Sequence, residues 1–563
     1  MDLHLHTPAS SDYQNAEISY LDILRQAKAK NLDAIAFTDH NTVAGFRSMQ
    51  EEIEQLRMLK QLDRILPEEA KKLDEYEQLL KDIVVFPGFE FTATFGFHVL
   101  GIFAPDKPLR EIEHILLELN IPAEQLDEGS VTVGASADVL NAYSAISEAG
   151  GLAIAAHANS SNGIAMRGFA FGGQTKIAYT QDPNLAALEV TDLEKRGRYS
   201  TANFFSGKKP EYPRRMHCIQ GSDAHRLMDD PKRASNLGVG GRVTEMLLSE
   251  LSFKAIQELF ASNDFARTRP RRRQKDQPAF DFVREAREEG RSIVQDFHTS
   301  MTVRGGNLYE VIADVCAFAN TNGGTIFIGM TADPKEAIVG VKNASQARKQ
   351  LEREIGKRIS PPLECTVDSQ KVGSATVLRV LVPRGEERPY AIDDNKIYIR
   401  SETETNLAVR DEIVSLVTGQ QAAMAPPAPK KGGRPKRGKT AKAPAGEGAP
   451  RTGVEVVSVE ERNGSAYYTV RDLRNGNVVK NVTEQSARKL WHYAIKQYAD
   501  LPSDLSQAKV DWKGDLGVLR EYTQFKQRRF DLVQKGGEKQ RFFYGVTEDG
   551  IHGNWNELVG NGE

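Results

Sequence analysis

The sequence is poor in cysteine: Cys218, Cys316 and Cys365 are the only ones in 563 residues. An odd, scattered set excludes a disulfide framework and fits a reducing compartment. No apolar run reaches the roughly 18 residues that a membrane helix needs, and the first residues lack the basic and hydrophobic regions of a signal peptide. A cytoplasmic protein with no membrane partner is therefore expected. Charge of one sign is also missing. The net charge is −3, so any attraction to nucleic acid must come from local patches rather than from a global field. There is no GxxxxGK[ST] loop, which leaves ATP-driven translocation without its phosphate cradle.

What is present is ordinary core material. Apolar residues make up 40% of the chain, enough for about two to four domains at this length. From Asp2 to about Ala266, short β-rich runs such as "LDAIAFTDH", "DIVVFPGFEF", "GLAIAAHAN" and "LAALEVTD" alternate with amphipathic helical stretches. That alternation suggests a (β/α) barrel or a doubly wound sheet. A long charged helical insertion is expected from about Ser48 to Lys81, and "RTRPRRRQK" (267–275) reads as an exposed connector.

The opening "MDLHLHT" places two histidines two residues apart. On a strand, period two puts His4 and His6 on one face. They are either half-exposed residues of an edge strand or a pair of imidazoles delivered to one metal. The rest of the chain favours the metal. Asp12 follows, "FTDH" ends a strand at Asp39 and His40, and "GFEF" supplies Glu90 with His98 eight residues on. "AIAAHAN" gives His157, and "QGSDAH" gives Asp223 and His225. Six of the eleven histidines thus fall at strand ends, which converge on one mouth in a barrel. Burying so many imidazoles and carboxylates without a cation would be costly.

These motifs, "DLHLHT…D", "FTDH", "GFEF…H", "AAHA" and "GSDAH", closely resemble the PHP (polymerase and histidinol phosphatase) family over about residues 1–268. The resemblance implies a distorted (β/α)7 metal-binding barrel with two or three divalent ions, Zn, Mn or Fe. It implies His4, His6, Glu90 and Asp223 at one ion, bridging Glu90 with His98 and His157 at a second, and Asp12, His40 and His225 at a third. Asp39 is expected to orient a ligand. Arg226 would either meet the substrate phosphate or stand as a solvated loop residue.

Downstream, "VCAFANTNGGTIFIGM" and "KIYIRSETETN" resemble the Schlafen AlbA-like domain, a DNA-binding class, over about residues 278–418. Some relatives carry an acidic RNA-cleaving triad built on a Glu…Glu-x-Lys pattern. The matching positions here are Arg291, Asp296 and His298, so binding without catalysis is expected. Residues 419–452 read as a disordered basic linker. Its "KKGGRPKRGK" looks like an AT-hook, in which Lys431, Arg434, Lys436 and Arg437 would meet a narrow minor groove. Residues 453–563 read as a small α+β domain of no recognised family, with bases and aromatics interleaved in "FKQRRF" and "KQRFFYG". That mixing suits stacking and phosphate contact as well as a plain core.

The leading expectation is a metal-dependent phosphoesterase, a nuclease acting on DNA or RNA through a metal-bound hydroxide, with defence or repair as its setting. Two alternatives stay open: a PHP phosphatase of a small phosphorylated metabolite or nucleotide, and a DNA-binding regulator whose barrel binds metals without catalysis. A homo-oligomer is left open as well.

Overall fold

The computed structural model describes residues 1–130, 137–165, 173–195, 200–271, 280–424, 448–462, 465–474, 476, 478–484, 487, 489–502, 505–524, 527–536 and 539–559. The chain divides into two compact units, residues 1–206 with 214–280, and residues 207–213 with 281–563.

The first unit is built on a seven-stranded sheet in sequential order. Its strands are β1 (Asp2–Leu5), β2 (Ala34–Phe37), β3 (Val84–Thr92), β4 (His98–Ile102), β5 (Leu152–Ala155), β6 (Leu185–Glu189) and β7 (His217–Ile219). Pairing is parallel except at β3–β4 and β4–β5, where a hairpin reverses β4. The sheet curls until Leu5 bridges Ala224 in parallel, with His6 N–H donating to Ala224 O at 3.1 Å. This is the distorted barrel expected from the motifs. β1, short as it is, has neighbours on both sides and is no edge strand.

Two apolar layers hold the barrel. One fills its interior with small and branched side chains such as Ala34, Ala36, Ile154 and Ala187. The other packs Leu24, Phe37, Phe46, Leu73 and Tyr76 beneath the outer helices. The charged insertion is two helices rather than one, Ala44–Gln61 and Pro67–Asp82, and Pro67 starts the second. Proline suits a first helical position, where its missing N–H costs nothing. The basic connector is also corrected in part. Thr268–Pro270 pairs antiparallel with Thr244–Met246 as a two-stranded sheet of its own.

In the second unit, the helix Asn307–Asn320 passes through a turn at Gly323 (φ +69°) into the strand Gly324–Ile328. That strand lies inside a four-stranded sheet with Gln295–His298, Ala375–Val382 and Thr366–Val372. The later part of the chain forms a seven-stranded antiparallel sheet backed by the helix Lys489–Ala499. Trp491 on that helix is buried with Val454, Val470 and Tyr544, so it serves the core. Lys431, Arg434, Lys436 and Arg437 lie outside the described residues.

Candidate metal centre

All nine donors expected from the barrel motifs meet at one end of it. His4 lies inside β1 and His6 just beyond it, both fully buried, with Nε2 atoms 3.3 Å apart. Glu90 Oε2 lies 3.5 Å from His4 Nε2 and 3.3 Å from His6 Nε2. Asp223 Oδ1 lies 3.3 Å and 3.5 Å from the same two nitrogens. On the far side of Glu90, Oε1 stands 2.8 Å from His98 Nδ1 and 3.1 Å from His157 Nε2. Asp12 Oδ2 closes the third corner, 3.4 Å from His40 Nε2 and 3.3 Å from His225 Nε2.

The spacing itself tests the fit of an ion. Donors held tetrahedrally at about 2.0–2.1 Å from an ion of zinc's size sit about 3.4 Å from one another. The distances among His4, His6, Glu90 and Asp223 run from 3.3 to 3.5 Å wherever a pair is in contact. Glu90 Oε2 and His40 Nδ1 are buried and approach to 3.0 Å, yet neither makes a hydrogen bond among the described residues. A buried carboxylate oxygen that faces imidazole nitrogens without a hydrogen bond is an acceptor that a divalent cation would satisfy. Three overlapping donor groups can hold one: His4, His6, Glu90 and Asp223; His40, Glu90 and His98; His6, His40 and His225.

The electrostatics are those of a site built for positive charge. Burial works against ionising Glu90, but His98, His4 and His40 around it hold its carboxyl well below the usual range. Burial, then the neighbouring His225 and His40, pushes His6 toward its neutral form, which is the ligating form. His157 (φ 27°) and Asp223 (φ 53°) both take left-handed backbone. Such strain concentrates where surrounding structure fixes a side chain for function.

A second set of residues orients the donors. Ser10 Oγ bonds His6 Nδ1 at 2.9 Å and itself donates to Asp39 Oδ1 at 2.8 Å. Asp39 also accepts from Thr7 N–H at 2.7 Å and Thr7 Oγ1 at 2.8 Å. It therefore acts on His6 through Ser10. Gly45 leaves it room, since a Cβ there would come within 2.2 Å of Asp39 Oδ2. Arg226 is partly buried and pairs with Asp230 Oδ2 at 2.8 Å.

Glu189 is the residue that motif reading passes over. It ends β6, is buried, and its Oε2 lies 2.8 Å from His4 Nδ1. The available signal was an acidic residue closing an apolar strand, "LAALE".

In the second unit, the positions of the acidic pattern form an ion network. Asp296 is held by Arg400 Nη2 at 2.6 Å and Arg291 Nε at 3.3 Å, while His298 Nε2 bonds Asp314 at 2.6 Å. Arg400 and Arg291 together offset the charge of the Asp296 carboxylate.

Residues 2–98 match the PHP domain model, and residues 291–409 match the model described as Schlafen, AlbA_2. With the donor ring, the first match makes the barrel that of a metal-dependent phosphoesterase. The chain as a whole joins a PHP domain to a Schlafen AlbA_2 domain. No curated protein matches the chain. Among solved structures, it is similar to the lesion-specific endonuclease PfuEndoQ from Pyrococcus furiosus, at 15% identity over 46% of this chain and 54% of that one, with a TM-score of 0.30. An Endonuclease Q complex with a 27-mer duplex carrying an abasic lesion matches at 15% identity over 46% and 55%, TM-score 0.29. An amidohydrolase from Chromobacterium violaceum matches at 14% over 40% and 87%, TM-score 0.25. The chain spans about half the length of the endonuclease structures it matches. Among the described residues, no helix is long and apolar enough to cross a membrane.

Proposed function

We propose that the barrel of residues 1–268 hydrolyses phosphodiester bonds in nucleic acid, and that residues 278–418, the basic linker 419–452 and the domain 453–563 bring the polymer to it. The observation that supports this reading is the buried carboxylate of Glu90, shared by two of the three donor groups, whose Oε2 meets imidazole nitrogens on more than one side. Divalent ions bound there would lower the pKa of a bound water toward neutrality and clamp a phosphoryl group.

The chain's own residues do the rest. His4, His6, Glu90 and Asp223, then His98 and His157, then Asp12, His40 and His225, hold charge in place. Glu189, Ser10 and Asp39 fix which imidazole nitrogen faces it. Arg226, bound to Asp230, steadies the loop that carries Asp223 and His225. In the second unit, the pairing of Asp296 with two arginines supports binding rather than cleavage.

The test is hydrolysis by the full chain, loaded in turn with Mn and Zn, of single- and double-stranded DNA, RNA and nucleotides. Activity should vanish on chelation and in the double variant His157→Ala, Asp223→Ala. Activity surviving that double variant would remove the assignment. Turnover of nucleotides alone would favour the small-metabolite phosphatase.

A further inference from the structure

The second unit holds a cavity of about 150 Å³ lined by a hairpin loop, the helix Lys489–Ala499 and the late sheet. The hairpin pairs Tyr398–Ser401 with Glu404–Leu407, and Glu402 leads its two-residue loop with φ 54°. Glycine ordinarily fills such a place, because a side chain there is strained against its own backbone. Strain of this kind persists where the surrounding structure fixes a side chain for function. Glu402 lines the cavity, and its Oε1 is buried with no hydrogen bond among the described residues.

The sheet supplies the opposite charge to the same cavity. Arg529, on the strand Gln527–Gly536, lines it and is only 4% exposed. Its Nε is buried without a hydrogen bond, and its guanidinium makes no ion pair among the described residues. The acid two residues along, Asp531, is already engaged. Its Oδ2 accepts from Tyr493 O–H at 2.6 Å, and its Oδ1 from Gly545 N–H at 2.9 Å. A buried cation without acceptors is costly, so a ligand that brings them gains what the fold leaves unpaired. Tyr522 lies opposite Arg529 in the strand ladder, and Tyr522, Tyr493 and Trp491 give the cavity an aromatic wall.

We propose that this cavity binds a guanine base between Arg529 and Glu402. Its volume suits one aromatic molecule, and a flat ring system lies well against aromatic side chains. Guanine offers Arg529 two acceptors on one edge, O6 and N7. On the next edge it offers Glu402 two donors, N1–H and the 2-amino group. Adenine carries an amino group in place of O6, so it turns a donor toward the arginine, and it has no N–H at N1 for the carboxylate. A free guanine nucleotide and an unpaired guanine in a strand present the same edges. The site lies in the second unit alone and does not rest on the phosphoesterase reading.

The experiment is isothermal titration of the full chain with guanosine, inosine and adenosine, none of which carries a phosphate for the barrel to hold. Guanosine should bind about tenfold or more tighter than adenosine, and tighter than inosine, which lacks the 2-amino group. Arg529→Gln should weaken guanosine binding about tenfold. Glu402→Gly, which suits the left-handed backbone, should bring the affinities for guanosine and inosine together. The proposal is overturned by no heat with guanosine at millimolar concentration, or by equal affinity for all three nucleosides. Guanosine affinity unchanged in both variants overturns it too. If Arg529→Gln does not fold, Glu402→Gly decides: a lost preference for guanosine over inosine supports the site, and a retained one removes it. A short single-stranded oligonucleotide with one guanine, titrated beside its inosine counterpart, then separates the sources. A preference as large as that of the nucleosides supports the site as a reader of strands, and affinities that are equal support it as a pocket for free nucleotides. Hydrolysis enters none of these readouts, so failure here leaves the phosphoesterase reading standing.

Discussion

Glu189 and His4 are joined by a 2.8 Å hydrogen bond between Oε2 and Nδ1, and the same oxygen accepts the main-chain N–H of His157 at 2.8 Å. One carboxylate thus aims an imidazole of one donor group and fixes the backbone of an imidazole in another. By accepting the hydrogen bond from Nδ1–H, it leaves His4 Nε2 free to ligate and more basic.

Glu189→Gln keeps the shape and an acceptor oxygen but loses the charge. The apparent metal affinity should drop by about 10–100-fold, read by competition with a chromogenic chelator, while the barrel stays folded. Affinity equal to wild type would show that Glu189 only braces the strand end.

His217 supplies a pH dependence outside the donor ring. Its Nε2 bonds Ser262 O at 2.9 Å and its ring packs on Phe265, centroids 4.3 Å apart. Burial lowers its pKa to about 4, against 6.5 when unfolded. The unfolded chain therefore binds the extra proton first as pH falls. The stabilising contribution is whole above pH 6.5 and is lost toward pH 4, by up to about 3 kcal/mol. Denaturant titrations should show His217→Gln losing less stability across that window than wild type.

Asp296→Ala should destabilise the second unit rather than report on catalysis. It strips a buried partner from Arg400, whose Nη2 sits 2.6 Å away, and removing one member of such a pair costs about 3–5 kcal/mol. Asp296→Asn should cost less. Melting of both variants checks the order.

Recruitment by the linker is better tested by substitution than by truncation. Val409 packs against the cluster that holds Val454 and Trp491, so cutting the chain at 421 would open that core. Replacing Lys431, Arg434, Lys436 and Arg437 by Gln should weaken DNA binding. It should also make the slope of log affinity against log salt shallower, by about 0.9 for each duplex phosphate that the linker no longer neutralises. Identical slopes would leave the linker with no part in capture.

The barrel was legible because its chemistry repeats at strand ends: period two placed His4 beside His6, and each later motif closed an apolar run. Glu189 was not legible in the same way. A single acid ending a strand has no internal spacing, and its meaning comes only from β6 lying across from β1. Asp296 and Arg400 illustrate the same limit, since their pairing joins residues 104 positions apart that no local pattern connects. The late sheet offered little alternation to read. The strand Val454–Arg462 is buried over its first three residues and exposed over the rest, which blurs any alternation.

The bridge from Leu5 to Ala224 has a consequence for how the protein is made. Asp12, His4 and His6 leave the ribosome first, but Asp223 and His225, which complete their donor groups, emerge more than 200 residues later. The two donor groups that use Asp223 and His225 are completed only when the ring closes, so an ion held there rewards closure, whereas His40, Glu90 and His98 need no residue beyond β4. A cell short of the right ion would accumulate chains whose first and last barrel strands part easily, and proteolysis should find them there.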